Sequence, residues 1–157
     1  MNKMLSKLRE KRAKDDRGFT LIELLVVVVI IGVLIAIAIP LYLNYRRGAN
    51  DAAAQSDLRN TISVLELCAT DEGGKYPSDD KMSLQNGGGT AGSCKRPISL
   101  SDGTELIYRT QDGGVTYTIT DRNTSGSEKV FCYSSKTGGQ VSDDGSEFGA
   151  TVCKSQQ

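Results

Sequence analysis

A single acidic residue inside a long apolar run is the position in this sequence with the clearest chemical meaning. Residues 19–39 form a run of 21 residues in which Glu23 is the only charged side chain. An apolar helix of about 20 residues can cross the core of a bilayer, and a carboxylate inside it is costly unless another group pairs with it. Glu23 lies four residues after Phe19, and a cut between Gly18 and Phe19 would create a new α-amine close to the acid. The spacing therefore predicts a site of processing and assembly.

The charges on either side of the apolar run predict its orientation in a membrane. Residues 1–18 hold seven basic and three acidic side chains, a net charge of +4, whereas the remaining 12 basic and 16 acidic side chains give −4. Basic residues ahead of the first apolar helix keep that end in the cytoplasm, and Arg46-Arg47 beyond it are too few to reverse the bias. The rest of the chain is therefore expected outside the cytoplasm. Because the expected cut precedes the apolar run, the anchor stays in the mature protein, unlike an ordinary secretory signal.

Four cysteines follow the apolar run, at positions 68, 94, 132 and 153. In a small extracytoplasmic domain they predict two disulfides, with three connectivities open. We favour Cys68–Cys94 together with Cys132–Cys153, because both bridges close short local loops. A zinc site is poorly supported, since the sequence has no histidine and no Cys-x-x-Cys pair. No cofactor is expected.

The residues after the apolar run predict a helix and then a sheet. Leu58, Ile62, Leu65 and Ala69 recur at steps of three and four residues, which indicates a helix with one apolar face that needs a partner surface. The pair Gly73-Gly74 ends this helix. The fold class predicted is α+β: a long N-terminal helix whose first half spans a membrane and whose second half packs on a small antiparallel sheet of three or four strands.

The strands of that sheet are predicted in the last third of the chain. Residues 73–103 have the composition of a loop, and strands are predicted over 104–110, 115–120 and 129–134. In the second of these, Val115, Tyr117 and Ile119 alternate with polar residues and are expected to face inward. Glycine-containing turns between the segments suit hairpins.

The sequence around the predicted cut resembles the prepilin-peptidase recognition site of class III signal sequences, found in type IV pilins and in the pseudopilins of type II secretion. The residues that carry the resemblance are Arg17-Gly18-Phe19-Thr20-Leu21-Ile22-Glu23, followed by the uninterrupted apolar run. The resemblance implies cleavage after Gly18, N-methylation of Phe19, and pairing of the Phe19 amine of one subunit with Glu23 of a neighbour. Gly32 and Pro40 fall where pilins usually carry helix-loosening residues, and Pro40 has no amide hydrogen to bond a carbonyl one turn back.

The resemblance also implies an organisation and a location. We expect a cleaved basic leader at 1–18, a transmembrane or filament-core helix at 19–41, an amphipathic continuation at 42–72 and a disulfide-stapled β domain at 73–157. The precursor is expected in the cytoplasmic (inner) membrane as a single-pass protein with its N-terminus inside, and the processed form in an extracellular filament on the cell surface. The expected partners are the membrane, the prepilin peptidase, an assembly platform, and further copies of the chain in a helical filament.

The function expected is that of a pilin subunit of a type IV pilus; the alternative is a pseudopilin of a type II secretion or DNA-uptake system. Enzymatic activity is not expected, because no acid–base arrangement can be assigned to a cleft. Direct nucleic-acid binding is not predicted either, because the mature part is acidic and has no evident basic patch or stacking platform.

Two weaker motifs lie in the last third of the chain. Asp143, Asp144 and Glu147 form a weak candidate calcium site, since hard cations bind clustered oxygens, but their spacing does not match an EF-hand and a solvated acidic turn is favoured. Asn123-Thr124-Ser125 fits the glycosylation sequon by pattern only.

Overall fold

The apolar run and the polar segment after it form one helix in the computed structural model. The model describes residues 18–78, 82–138, 142–143 and 145–154; residues 1–17, which hold most of the predicted leader, and Asp144 lie outside them. The helix, α1, spans Leu21–Asp71 and continues without a break through Gly32 and Pro40. The chain divides into two compact units, Met1–Tyr42 and Leu43–Gln157.

In the first unit, none of the large apolar side chains of the described residues is buried. Every such residue between positions 19 and 42 is exposed, from Leu21 at 81% to Val26 at 48%. Within the described part of the chain, α1 is the one helix whose length and composition would allow it to cross a membrane, and its most apolar window is not buried at all. The stabilising surroundings of this segment must therefore come from outside the subunit.

In the second unit, α1 buries one face. Of the predicted apolar stripe, Leu58, Leu65 and Ala69 are buried and Ile62 is partly buried. The buried residues of this face are Asp51, Ala54, Asp57, Leu58, Thr61, Leu65, Cys68 and Ala69. The helix ends where Gly73 and Gly74 adopt positive φ angles of 73° and 89°. The amide of Gly74 then bonds the carbonyl of Ala69 at 2.7 Å, which satisfies a carbonyl that the helix leaves open.

The sheet has five antiparallel strands in the order β1-β4-β5-β6-β7, and β2 and β3 form a separate two-stranded ladder. The strands are β1 Met82–Gln85, β2 Gly89–Thr90, β3 Pro97–Ile98, β4 Thr104–Gln111, β5 Thr116–Asn123, β6 Phe131–Ser134 and β7 Ser142–Asp143. The α+β class is confirmed. The three predicted strands correspond to β4, β5 and β6, whereas β1, β2 and β3 lie in the segment that was predicted to be loop.

The core lies between α1 and one face of the sheet. Leu58 and Leu65 of the helix belong to one buried cluster with Leu106, Tyr117 and Ile119 of the strands. Burying a leucine side chain contributes about 1.5–3 kcal/mol, which explains why this half of the helix needs the sheet. The prediction that Val115 faces inward was wrong: it is 61% exposed, because the chain is still in the hairpin turn and β5 begins one residue later.

The opposite face of the sheet is covered by the C-terminal segment. Arg109 Nε donates to the carbonyl of Gly149 at 2.9 Å, and the amide of Gly149 donates to Thr120 Oγ1 at 2.8 Å. Thr118 Oγ1 donates to the carbonyl of Thr151 at 2.8 Å. The sheet therefore has a helix on one face and an irregular, hydrogen-bonded segment on the other.

Candidate assembly site

The start of α1 is organised by Thr20 and Glu23. The backbone amide and the hydroxyl of Thr20 both donate to Glu23 Oε2 at 2.8 Å, and the backbone amide of Glu23 lies 3.3 Å from Thr20 Oγ1. This reciprocal arrangement is a capping box, in which the residue before the helix and the third helical residue satisfy each other's amides. Glu23 is therefore held by its own subunit and sits in the first turn, where the helix dipole favours a negative charge.

Thr20 is the site residue that the sequence analysis did not single out. The signal was present, since a Thr followed three residues later by Glu, just before an apolar run, is the pattern of a capping box. The bonds fix the direction of the carboxylate at the helix start. Both bonds from Thr20 end on Oε2, so neither of them occupies Oε1.

Gly18 and Phe19 precede this box outside the helix, and both are exposed. A side chain added at Gly18 would meet nothing within 4 Å, as would one added at Gly32. The fold of the subunit thus does not require glycine at either position. Gly32 and Pro40 both lie inside the helix. The helix is therefore not loosened at either residue in the described structure.

The four cysteines are brought together in two pairs, Cys68 with Cys94 and Cys132 with Cys153. The first pair ties the end of α1 to the loop before β3. The second ties β6 to the C-terminal segment. In both pairs the Cα atoms are 5.7 Å apart, a normal separation for a disulfide.

The two weaker motifs do not form sites in the described residues. Asp143 and Glu147 are exposed, Asp144 lies outside the described part, and no group of three or more potential metal ligands occurs in the residues that are described. Asn123 of the sequon is only 4% exposed, and its Nδ2 donates to the carbonyl of Asp102 at 2.9 Å. A glycan cannot be attached to that amide without breaking this contact with the loop before β4.

A tyrosine–carboxylate cluster secures the chain where it leaves α1. The hydroxyls of Tyr76 and Tyr117 each donate to Glu66 Oε1, at 3.1 and 3.0 Å, and the two rings meet edge to face at 4.5 Å. Burial, helped by the bond to Glu66, raises the pKa of Tyr76 to about 12, and burial with the nearby Glu66 charge raises the pKa of Tyr117 as well. Both hydroxyls therefore stay protonated and remain donors at neutral pH.

A second connection joins α1 to the loop between β5 and β6. Asn50 Nδ2 donates to the carbonyl of Ser125 at 2.9 Å, and Asp51 accepts bonds from the amide and the hydroxyl of Ser127. A side chain at Gly126 would lie 2.1 Å from Asp51 Oδ1, so only glycine permits this approach. Sequence reasoning missed both residues of the helix, because two polar residues among alanines resemble a solvated face.

Comparison with known proteins finds a matching family model and several similar sequences. A family model described as the prokaryotic N-terminal methylation motif matches residues 13–39. The chain is 50% identical over 63 residues to the prepilin peptidase-dependent protein D of Escherichia coli, a match that covers 38% of this chain and 40% of that protein. It is 36% identical over 77 residues to the type IV narrow pilus major component PilA5 of Thermus thermophilus, covering 49% of this chain and 66% of the relative.

A relative from a secretion system matches as well. The chain is 37% identical over 66 residues to the type II secretion system core protein G of Pectobacterium carotovorum, covering 42% of each. The chain thus spans less than two thirds of the length of each of these three relatives.

Proposed function

We propose that this chain is a member of the family of type IV pilins and type II secretion pseudopilins, and that it is a structural pilin subunit that is cleaved after Gly18 and polymerises through its N-terminal helix into a type IV pilus. The single observation that carries the proposal is the start of α1. There a glutamate bound by its own Thr20 opens a helix whose large apolar side chains are all exposed as far as Tyr42. Such a helix needs partners along its whole first half, and sister helices supply them in a filament.

The proposed pairing follows from the chemistry of Glu23. Cleavage would give Phe19 an α-amine, and in a filament that amine can approach the carboxylate of a neighbouring subunit. Each group then removes the cost of burying the other, whereas breaking such a pair on one side typically costs about 3–5 kcal/mol. Because apolar helices can slide past one another in many registers, a contact of this size selects one of them. Thr20 supports the selection by keeping the carboxylate aimed at the helix start.

The proposed path of the protein runs through the membrane. The precursor sits in the cytoplasmic membrane as a single-pass protein with its basic leader inside, a prepilin peptidase removes the leader, and an assembly platform transfers the subunit into a surface filament. The name of the Escherichia coli relative refers to a prepilin peptidase, which supports that partner here. We propose no enzymatic role for the chain itself.

The second candidate is a pseudopilin of a type II secretion or DNA-uptake system. It is supported by the similarity to a secretion core protein. The two candidates use the same cleavage and the same helix, and they differ in whether long filaments reach the cell surface. Imaging of cells that produce the protein at its natural level separates them: surface filaments that contain this chain support the pilin, and their absence despite normal cleavage supports the pseudopilin.

Processing is tested on purified filaments by mass spectrometry. Filament protein should begin at Phe19 and carry one N-methyl group, and an intact leader in assembled subunits would contradict the proposal. Gly18→Val should leave uncut precursor in the membrane, since the peptidase must reach this backbone. Gly48→Val is the matched control, because a side chain there also meets nothing within 4 Å and the residue lies far from the cut.

A further inference from the structure

Asp121 is a buried carboxyl group without a partner. It lies in β5, the central strand of the sheet, and is 0% exposed. In the described residues neither of its side-chain oxygens has a hydrogen-bond partner. A buried ionised carboxylate without a partner is strongly unfavourable, so such a group must acquire a partner or lose its charge.

The residues around Asp121 supply no positive charge. Its neighbours in register are Leu106 on β4 and Phe131 on β6, both apolar. The basic residues of these strands, Arg109 and Arg122, alternate to the other face of the sheet, where they bond the carbonyl of Gly149 and the carboxylate of Glu105. The titratable group that acts on Asp121 from α1 is Asp57, a like charge.

Asp57 is itself fixed in place. It is 6% exposed and accepts bonds from the amide of Ser101 at 2.7 Å and from the Ser101 hydroxyl at 3.1 Å. These donors stabilise its negative charge. The Asp57 carboxylate on the helix therefore has hydrogen-bond donors, whereas the Asp121 carboxyl group on the central strand has none among the described residues.

We propose that Asp121 is a proton-binding site built into the interface between α1 and the sheet, which holds one proton when helix and sheet are packed and releases it when they separate. Protonation removes the charge that neither solvent nor a basic side chain can balance there. The ligand is a proton rather than a metal ion, because both oxygens are closed off from solvent and the described residues hold no group of three potential metal ligands. The proposal is independent of the filament role.

The sign of the effect follows from the two states of Asp121. Burial, with the Asp57 charge adding to it, raises the pKa of Asp121 from 3.8 to about 8 in the folded domain. Between about pH 4 and pH 8 the folded domain therefore binds one more proton than the unfolded chain, and stability falls as pH rises through this window. Below it both states are protonated and the stabilisation is complete; above it both are ionised and the stabilisation is lost. One proton changes the unfolding equilibrium constant by up to about tenfold per pH unit.

The test compares unfolding of the full chain in detergent micelles at several pH values between 5 and 9. The tyrosine signal of the globular domain is followed in urea. We expect the stability of Asp121→Asn to depend on pH with a slope about one proton smaller than that of wild type, and the variant to be most stabilising relative to wild type at pH 9, the highest pH tested. Asp102→Asn, at an exposed turn, is the matched control and should keep the wild-type slope. Equal slopes in wild type and Asp121→Asn would overturn the proposal.

Three further measurements keep the test decisive if Asp121→Asn does not fold. Infrared spectroscopy of the wild-type chain should show a protonated carboxyl band at pH 7, and its absence would overturn the proposal. Asp57→Asn removes the like charge next to Asp121, so the fall in stability with rising pH should end at a lower pH. An unchanged midpoint of this fall would contradict the proposed action of Asp57 on Asp121. A stabilisation of wild type by calcium that EDTA reverses and Asp57→Asn abolishes would overturn the proposal in favour of a metal site.

Discussion

The two units of this chain treat their apolar residues in opposite ways. In the first unit, Leu34 is 61% exposed and typical of its neighbours, whereas in the second unit Leu65 is 0% exposed. The same residue type on the same helix is thus satisfied in one unit and unsatisfied in the other. The second unit carries its own partner surface in the sheet, and the first must obtain one from a membrane or from other copies. The stability of the globular domain and the proposed assembly into a filament therefore depend on different parts of the chain.

Glu23→Ala should give the largest separation between these two parts. The variant should be inserted and cleaved like wild type, because Gly18-Phe19 and the apolar run remain and the run becomes more apolar. Filaments should be lost, since the amine of an incoming subunit would be buried without a carboxylate. The measurement is a count of filaments together with the amount of mature-length subunit in the membrane fraction.

Thr20→Ala sharpens this result, because it removes the capping hydroxyl while it keeps the charge. Losing such a cap typically costs about 0.5–2 kcal/mol, so we expect fewer filaments rather than none. Wild-type filament numbers in Glu23→Ala would exclude the carboxylate as an assembly contact.

Leu65→Ala and Leu34→Ala form a matched pair across the two units. Leu65→Ala should lower the free energy of unfolding of the globular domain by about 2–5 kcal/mol, because it leaves a cavity between helix and sheet. Leu34→Ala should leave that free energy unchanged, since its side chain packs against nothing in the subunit. Urea unfolding in micelles measures both free energies. An equal loss in the two variants would contradict the difference in packing between the two units.

The disulfide between Cys132 and Cys153 should matter for the second unit alone. Replacing both cysteines with serine should cost about 3 kcal/mol of unfolding free energy, the magnitude expected for a bridge that closes a loop of about 20 residues. It should also free the C-terminal segment from the outer face of the sheet, which faster hydrogen exchange of the Gly149 amide, a donor to Thr120 Oγ1, would detect. Non-reducing peptide mapping of wild type checks the pairing, and a crossed pattern would refute it.

Arg96→Gln should have the smallest effect. Arg96 and Asp71 form an ion pair at 3.0 Å, but both side chains are about half exposed. Exposed pairs contribute at most about 1 kcal/mol and are screened by salt. The change in unfolding free energy should therefore be small and should vanish at 1 M NaCl; a larger loss would mean that this pair supports the neighbouring Cys68–Cys94 connection.

Different parts of the fold were predictable to different degrees. The helix and strands β4 to β6 could be read from the sequence because each has a clear hydrophobic period. Strand β1 could not be predicted, because its four residues are a mixture of apolar and polar types and form a strand only by pairing with β4. Val115 was misplaced for a related reason: the alternating pattern continues one residue into the turn, and only the hairpin geometry ends it.

The sequence alone determined the features that depend on neighbours along the chain. The apolar run, the single acid within it, the Gly18-Phe19 junction and the capping pattern of Thr20 with Glu23 are all local, because helix geometry brings residues three and four apart together. The tertiary structure decided which distant groups meet. It placed Glu66 between two tyrosines, left Asp121 without a partner opposite Asp57, and covered the outer face of the sheet with the C-terminal segment. These contacts join residues 10 to 64 positions apart, and no local period encodes a contact that only the register of the sheet and the packing of the helix create.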